Sequence, residues 1–269
     1  MPDPLSIFHN PVLQAVGQIG GLIFIRLLPV FLLTPLFGGD TMPNRLRVGL
    51  TVIFTLALLA PLLPAARGVI PWLDYFALTV KEALIGLTLA VFLLVLFEAI
   101  TSFGALVDLA RGATIANVFD PITHAQESIL AAFFTQLSLA LFFSLGGHRI
   151  LFSAFGDSFV LLRPFELLPR AAAGAGAAEP MIQITGELFL IALRLAAPAV
   201  MILFLMDFAL GLINRVAPQI QVFFLSMTMK GSIGLLVILA GLGFLIDLLT
   251  RHFADLLKAI ENWVLTTAP

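Results

Sequence analysis

The chain has 269 residues, 60% hydrophobic and only 11% charged, with a mean hydropathy of +1.09, far from the roughly 25% charged residues of a soluble domain. An ordinary cytosolic globule is excluded: the apolar segments lie in a bilayer, where about 20 apolar residues span the hydrocarbon, or against other equally apolar subunits. A net charge of -2 offers no basic stripe for nucleic acid, and the absence of cysteine removes disulfides, thiol catalysis and thiolate metal sites.

Two features temper a simple multi-span reading. The aromatics are almost all Phe, leaving Trp72, Tyr75 and Trp263 as interfacial anchors. The basic residues Arg45, Arg67, Arg111, Arg149, Arg170 and Arg215 fall in successive polar breaks without alternation, so no topology follows from them. The start, MPDPLSIFHNP, has no basic leader, and the first internal apolar segment is the expected insertion signal.

That segment, Leu13 to Phe37, carries Arg26, Pro29 and Pro35 and reads as a kinked or broken helix, since each proline removes a donor and frees a carbonyl one turn back. Arg26 is costly in hydrocarbon and is expected to turn toward a carboxylate, a carbonyl or water, either as an anchor or on an ion path. Gly38 to Arg47 is turn chemistry with two solvated or phosphate-facing arginines. A second helix runs from Val48 to Ala60, followed by an exposed connection to Leu73. Lys81 and Glu82 are adjacent and do not share a helix face, so each is expected to find a separate partner at an interface or helix entrance. Ala83 to Val107 is long enough to cross a bilayer, with Glu98 as its exception. Such a carboxylate bonds to a neighbouring helix or subunit, or titrates as in a proton-coupled transporter.

Between two apolar runs lies DLARGATIANVFDPITHAQE, Asp108 to Glu127. Gly112 permits a sharp path, Ile115, Val118 and Phe119 offer apolar contact, and Pro121 restricts the exit. Asp108 and Arg111, three apart, can pair if that turn is helical. His124, Gln126 and Glu127 read as a polar helix start. Ser128 to Leu145 is a Phe-rich helix stopped by Gly146 and Gly147, and the amphipathic stretch after it is broken by Gly156 and Pro164. AAAGAGAAEP, within a linker over 171–183, separates a first half, 1–170, from a second, 184–269. The second half is a hairpin of Ile184–Ile213 and Ile220–Leu249 with a C-terminal amphipathic helix. Counting back from its turn places Asp207 within reach of Lys230. Glu187 and Asp247 fall at similar heights, a repulsion that Arg194 or Arg251 would relieve.

VDLARGATIANVFDP at Val107 to Pro121, KEALIG at Lys81 to Gly86, RLLPVFLLTPLFGGDTMPNRLRVGL at Arg26 to Leu50, SLGGH at Ser144 to His148 and RVAPQIQVFFLSMTMK at Arg215 to Lys230 together resemble, in the same order, the SctT/FliR family of type III export-gate subunits. The resemblance covers nearly the whole chain, and Arg111-Gly112-Ala113 leans toward the injectisome branch. It implies an all-α fold of long, kinked hydrophobic helices, FliP-like in the first half and FliQ-like in the second, built for a helical multi-subunit assembly. It implies a closing plug formed by Arg111, Gly112, Ala113, Thr114, Ile115, Ala116, Asn117, Val118, Phe119, Asp120 and Pro121.

The implied partners are FliP/SctR-like and FliQ/SctS-like subunits, an SctU/FlhB-like switch protein, unfolded exported substrates and membrane lipid, with no nucleic acid. The implied location is the bacterial inner membrane at the secretion-system basal body, with the gate core raised toward the periplasm. Structural or inter-subunit charges are expected at Arg26, Lys81, Glu82, Glu98, Asp108, Arg194, Asp207, Arg215 and Lys230. No enzyme motif and no cofactor site is present in the sequence, so energy for export would come from partners. The alternative is a small-solute or proton-coupled transporter using Glu98 and Arg26.

Overall fold

The computed structural model describes residues 11–39, 42–63, 68–112, 128–166, 178–219 and 221–267, all of them helix, turn or short connection without a strand. Among these residues seven α-helices follow in order: α1 (Pro11–Leu33), α2 (Asn44–Leu62), α3 (Trp72–Arg111), α4 (Ile129–Ser144), α5 (Gly147–Leu161), α6 (Ala178–Val216) and α7 (Val222–Thr267). Among the described residues five segments are long and apolar enough to cross a membrane: α1, α2, α3, Thr185–Val216 of α6 and Val222–Ala240 of α7. The broken pair α4 and α5 makes a sixth if it counts as one span. Such helices mark a membrane protein. At about 1.5 Å per residue, the 40 residues of α3 run to about 60 Å, roughly twice the hydrocarbon thickness.

Several boundaries differ from the sequence reading. Pro29 sits inside an unbroken α1, and the break comes at Thr34 and Pro35, where an extended residue leads into a 3-10 turn, Pro35–Phe37. α2 begins at Asn44, so Arg45 and Arg47 are helical, and Pro61 lies inside its last turn. Arg47 is buried and donates from Nη1 to the Leu32 carbonyl at 2.9 Å instead of facing solvent. Lys81 and Glu82 lie inside α3, which starts at Trp72, rather than at a helix entrance. α5 runs through Gly156. The C-terminal amphipathic stretch continues α7 without a break. Of the Ala/Gly linker, residues 178–183 belong to α6 and the rest lie outside the described residues.

The chain forms two compact units, one of residues 1–94, 148–183 and 256–269, the other of 95–147 and 184–255. In the first, α1 buries Ile19, Leu22, Ile23, Leu27, Val30 and Phe31, an i, i+3, i+4, i+7 stripe interrupted by Arg26. Phe31 stacks on Phe37 at 4.0 Å and meets Phe54 at 5.2 Å, and Phe54 stacks on Phe152 at 4.9 Å. α2 turns Arg47, Thr51 and Thr55 inward, and both threonine hydroxyls donate to the carbonyl four residues back.

In the second unit α3 and α4 touch through their backbones. A Cβ on Gly104 would stand 2.6 Å from the Ala131 nitrogen and 2.7 Å from its Cα, so only glycine permits this approach. One turn away Thr101 and Thr135 share a hydroxyl hydrogen bond of 2.7 Å. Phe103 packs on Phe134 at 4.7 Å and Phe97 on Phe142 at 5.9 Å. α6 buries small residues, Ala192, Ala196 and Ala199, while Phe189, Leu193, Phe204, Phe208 and Leu236 of α6 and α7 stay largely exposed. That apolar surface is far more than a lone soluble chain leaves uncovered.

Candidate functional site

Apart from Arg47, the buried charged side chains among the described residues fall into two clusters, one in each unit. The first is built on Arg26, fully buried in α1. Its Nε and Nη2 grip both carboxylate oxygens of Glu82, Nη2 at 2.9 Å from Oε1. Nη1 donates to the Ser158 carbonyl at 2.7 Å and Nη2 to the Leu162 carbonyl at 2.7 Å. The guanidinium carbon stands 4.2 Å from the Phe159 ring centre. Lys81 Nζ reaches Glu82 Oε1 at 2.7 Å and donates to the carbonyls of Arg163 and Glu166, each at 2.8 Å.

One glutamate thus meets two cations, and the surplus charge faces carbonyls at and just beyond the C-terminal end of α5, where helix dipoles favour cations. The KEALIG run makes the geometry possible: Gly86, one turn after Glu82, lets α3 approach until a Cβ there would overlap the Arg26 carbonyl oxygen. Lys81 and Glu82 therefore pair with each other, contrary to the sequence expectation. Their Cα–Cβ bonds diverge, but the long lysine stem curls back because the same carbonyl-rich end of α5 attracts its ammonium. Arg26 finds both a carboxylate and carbonyls, and the whole cluster is closed to solvent.

The second cluster joins the C-terminal end of α3 to the start of α4. Asp108 is 2% exposed. Its Oδ2 accepts from Ser128 Oγ at 2.6 Å and from the Leu130 amide at 2.9 Å, and its Oδ1 lies 3.3 Å from Arg111 Nη1. Ser128 in turn caps α4, its hydroxyl accepting from the Ala131 amide at 3.0 Å. Gly112 ends α3 with φ 76, a left-handed geometry suited to glycine. The Arg111 stem lies against α7, where a Cβ on Gly234 would come within 2.6 Å of its Cδ. Its Nε is buried without a hydrogen-bond partner among the described residues.

A single carboxylate therefore holds together residues 108 and 128–130, on either side of residues 113–127. Of the expected plug, Arg111 and Gly112 are described, and residues 113–121 lie outside the described residues, as do His124, Gln126 and Glu127.

The remaining expected charges divide. Asp207 pairs with Lys230 across the α6–α7 hairpin, and Asp247 pairs with Arg251 one turn along α7 at 2.7 Å. Arg194, Arg215, Glu187 and Glu98 are exposed and form no ion pair among the described residues. Sequence reasoning missed Ser158, the carbonyls of 162–166, Ser128 and the glycine contacts. Ser128 carried a readable signal, a capping residue ahead of an apolar run. The carbonyls carried none, because every residue has one.

Both clusters lie within the stretch that matches a known family. Residues 19–256 fit the model for bacterial export proteins, family 1. The chain belongs to this family. It is 32% identical over 226 residues to the flagellar biosynthetic protein FliR of Pectobacterium carotovorum, covering 84% of this chain and 83% of that protein. It is 30% identical to the secretion system apparatus protein SsaT of Salmonella typhimurium, over 80% of this chain and 83% of that one. It is 27% identical to the surface presentation of antigens protein SpaR of the same organism, over 87% and 84%. The solute-transporter alternative gains nothing here: the family is one of export proteins, and Arg26 is sealed inside its ion cluster, away from any path.

Proposed function

We propose that the chain is a subunit of a type III protein export gate, of the injectisome branch. In this reading it forms part of the protein-conducting channel in the inner membrane and contributes the closing plug through residues 111–121. The observation that carries the reading is the export-family match along residues 19–256. Relatives named as flagellar biosynthetic and secretion-system apparatus proteins agree with it.

The physical features are in keeping with such a role. The uncovered apolar surface of α6 and α7 calls for lipid or protein neighbours, the latter in this proposal FliP/SctR-like and FliQ/SctS-like subunits and an SctU/FlhB-like switch protein. The first half is FliP-like and the second FliQ-like in this proposal. The residues on either side of 113–127 meet at one buried carboxylate, Asp108, which suits a plug that must keep its base fixed. The role is structural rather than catalytic, and the force for moving unfolded substrates comes from partners.

Removal of this chain from the bacterium that makes it is expected to abolish secretion of injectisome substrates while flagellar assembly continues, and the full chain supplied in trans should restore it. Continued secretion without the chain would refute the proposal. Loss of flagella with intact secretion would move the chain to the flagellar branch.

A further inference from the structure

Glu98 is the one charged residue between Ala83 and Val107, and it points outward. The inner side of this part of α3 is already occupied: Leu96, Phe97, Ile100, Phe103 and Val107 are buried. Thr101, beside Glu98 on the next turn, is engaged by Thr135 of α4. On the outward side nothing from the described residues reaches the carboxylate.

Its neighbours there, one turn before and at one, two and three turns after, are Val95, Ser102, Ala105 and Leu109. All four are partly or fully exposed, and none is charged. A carboxylate on such a face of a membrane protein is costly against lipid and is normally paired or wetted. A water path would need a run of polar groups, and this face offers only Ser102 beside the carboxylate. The small side chains of Ser102 and Ala105 let another helix come close. Charge complementarity selects what that helix carries.

We propose that Glu98 is an inter-subunit docking site, receiving the lysine or arginine of an apolar helix from another subunit, laid along the Val95–Leu109 face of α3. The proposal rests on the reading of the chain as a gate subunit. The buried Arg26–Glu82 pair shows the same chemistry satisfied within the chain, and Glu98 is its counterpart left open for a partner.

The test uses the full chain in its native membranes, extracted in mild detergent and separated by size. Glu98→Lys and Glu98→Ala should each lower recovery in the high-mass complex at least tenfold, with the total chain in the membrane within twofold of wild type. Glu98→Gln should lose less. Changing one basic residue of the partner helix to glutamate should restore Glu98→Lys. Complex recovery within twofold of wild type for both Glu98→Lys and Glu98→Ala overturns the proposal.

Because those variants can fail to fold, Ser102→Cys in the cysteine-free chain leaves the carboxylate in place. A thiol-directed crosslinker should join that position to another subunit. Free reaction with a water-soluble maleimide in the intact complex would place the face in water and overturn the site. A wild-type chain that enters no high-mass complex overturns the export-gate reading together with this site, whereas a complex indifferent to Glu98 overturns the site alone.

Discussion

Glu82→Ala is expected to remove most of the folded chain from the membrane. Glu82 is completely buried and answers both the guanidinium of Arg26 and the ammonium of Lys81. Its loss strands the fully buried guanidinium of Arg26 and leaves Lys81 only its carbonyl partners and the carboxylate of Glu166, and breaking a buried pair from one side costs about 3–5 kcal/mol. That is a large share of the roughly 5–15 kcal/mol that holds a typical domain folded.

Arg26→Lys should fall short of rescue, because a single ammonium cannot grip both carboxylate oxygens and still reach the Ser158 and Leu162 carbonyls. The double variant Arg26→Met, Glu82→Leu should recover part of the loss, since it removes the stranded charge of Arg26 and leaves Lys81 its carbonyl partners. Membrane abundance and thermal melting of the detergent-extracted chain give the readout. Unchanged values for Glu82→Ala would mean that the cluster contributes nothing to folding.

The second large effect is expected at Asp108. Asp108→Ala leaves the Leu130 amide and the Ser128 hydroxyl without their acceptor and frees Arg111. Hydrogen bonds to a charged group are worth about 1.5–3 kcal/mol each, so exchange of the Leu130 amide should speed up by about ten- to a hundredfold. Helix α4 keeps its cap from Ser128, and the change should stay near its first turn. Asp108→Asn retains one acceptor oxygen and loses the ion pair, placing it between wild type and Asp108→Ala. If the proposed plug depends on this base, leakage of small solutes through the resting membrane should follow the same order. Exchange at Leu130 equal to wild type in Asp108→Ala would remove Asp108 as the fastening point.

What was legible beforehand follows from the range of each interaction. The helices were readable because uninterrupted apolar runs leave no other state in a dry environment. Asp108 with Arg111 was readable because three residues apart is one helical turn, and Asp207 with Lys230 because a hairpin makes heights countable from its turn. Lys81 pairs with Glu82 despite diverging Cα–Cβ bonds because its four-carbon stem is drawn by carbonyls 82–85 residues away, a contact that local spacing does not encode. Pro29 and Gly156 lie inside continuous helices and Pro61 inside the last turn of α2, so a single proline or glycine in an apolar run does not by itself end a helix. Glu98, Arg194 and Arg215 found no ion pair inside the chain among the described residues. That pattern agrees with a protein whose environment is supplied by other subunits.

Asp108 draws together the residues on either side of 113–127, and the proposed plug must meet the exported polypeptide. Single cysteines at Thr114, Phe119 and Thr123, in a chain that has none of its own, allow this to be measured by crosslinking to a substrate trapped in transit. Crosslinks from at least one of the three, absent when no substrate is engaged, are the predicted result. Crosslinks only from cysteines placed on the α6–α7 hairpin, with none from the loop, would contradict it.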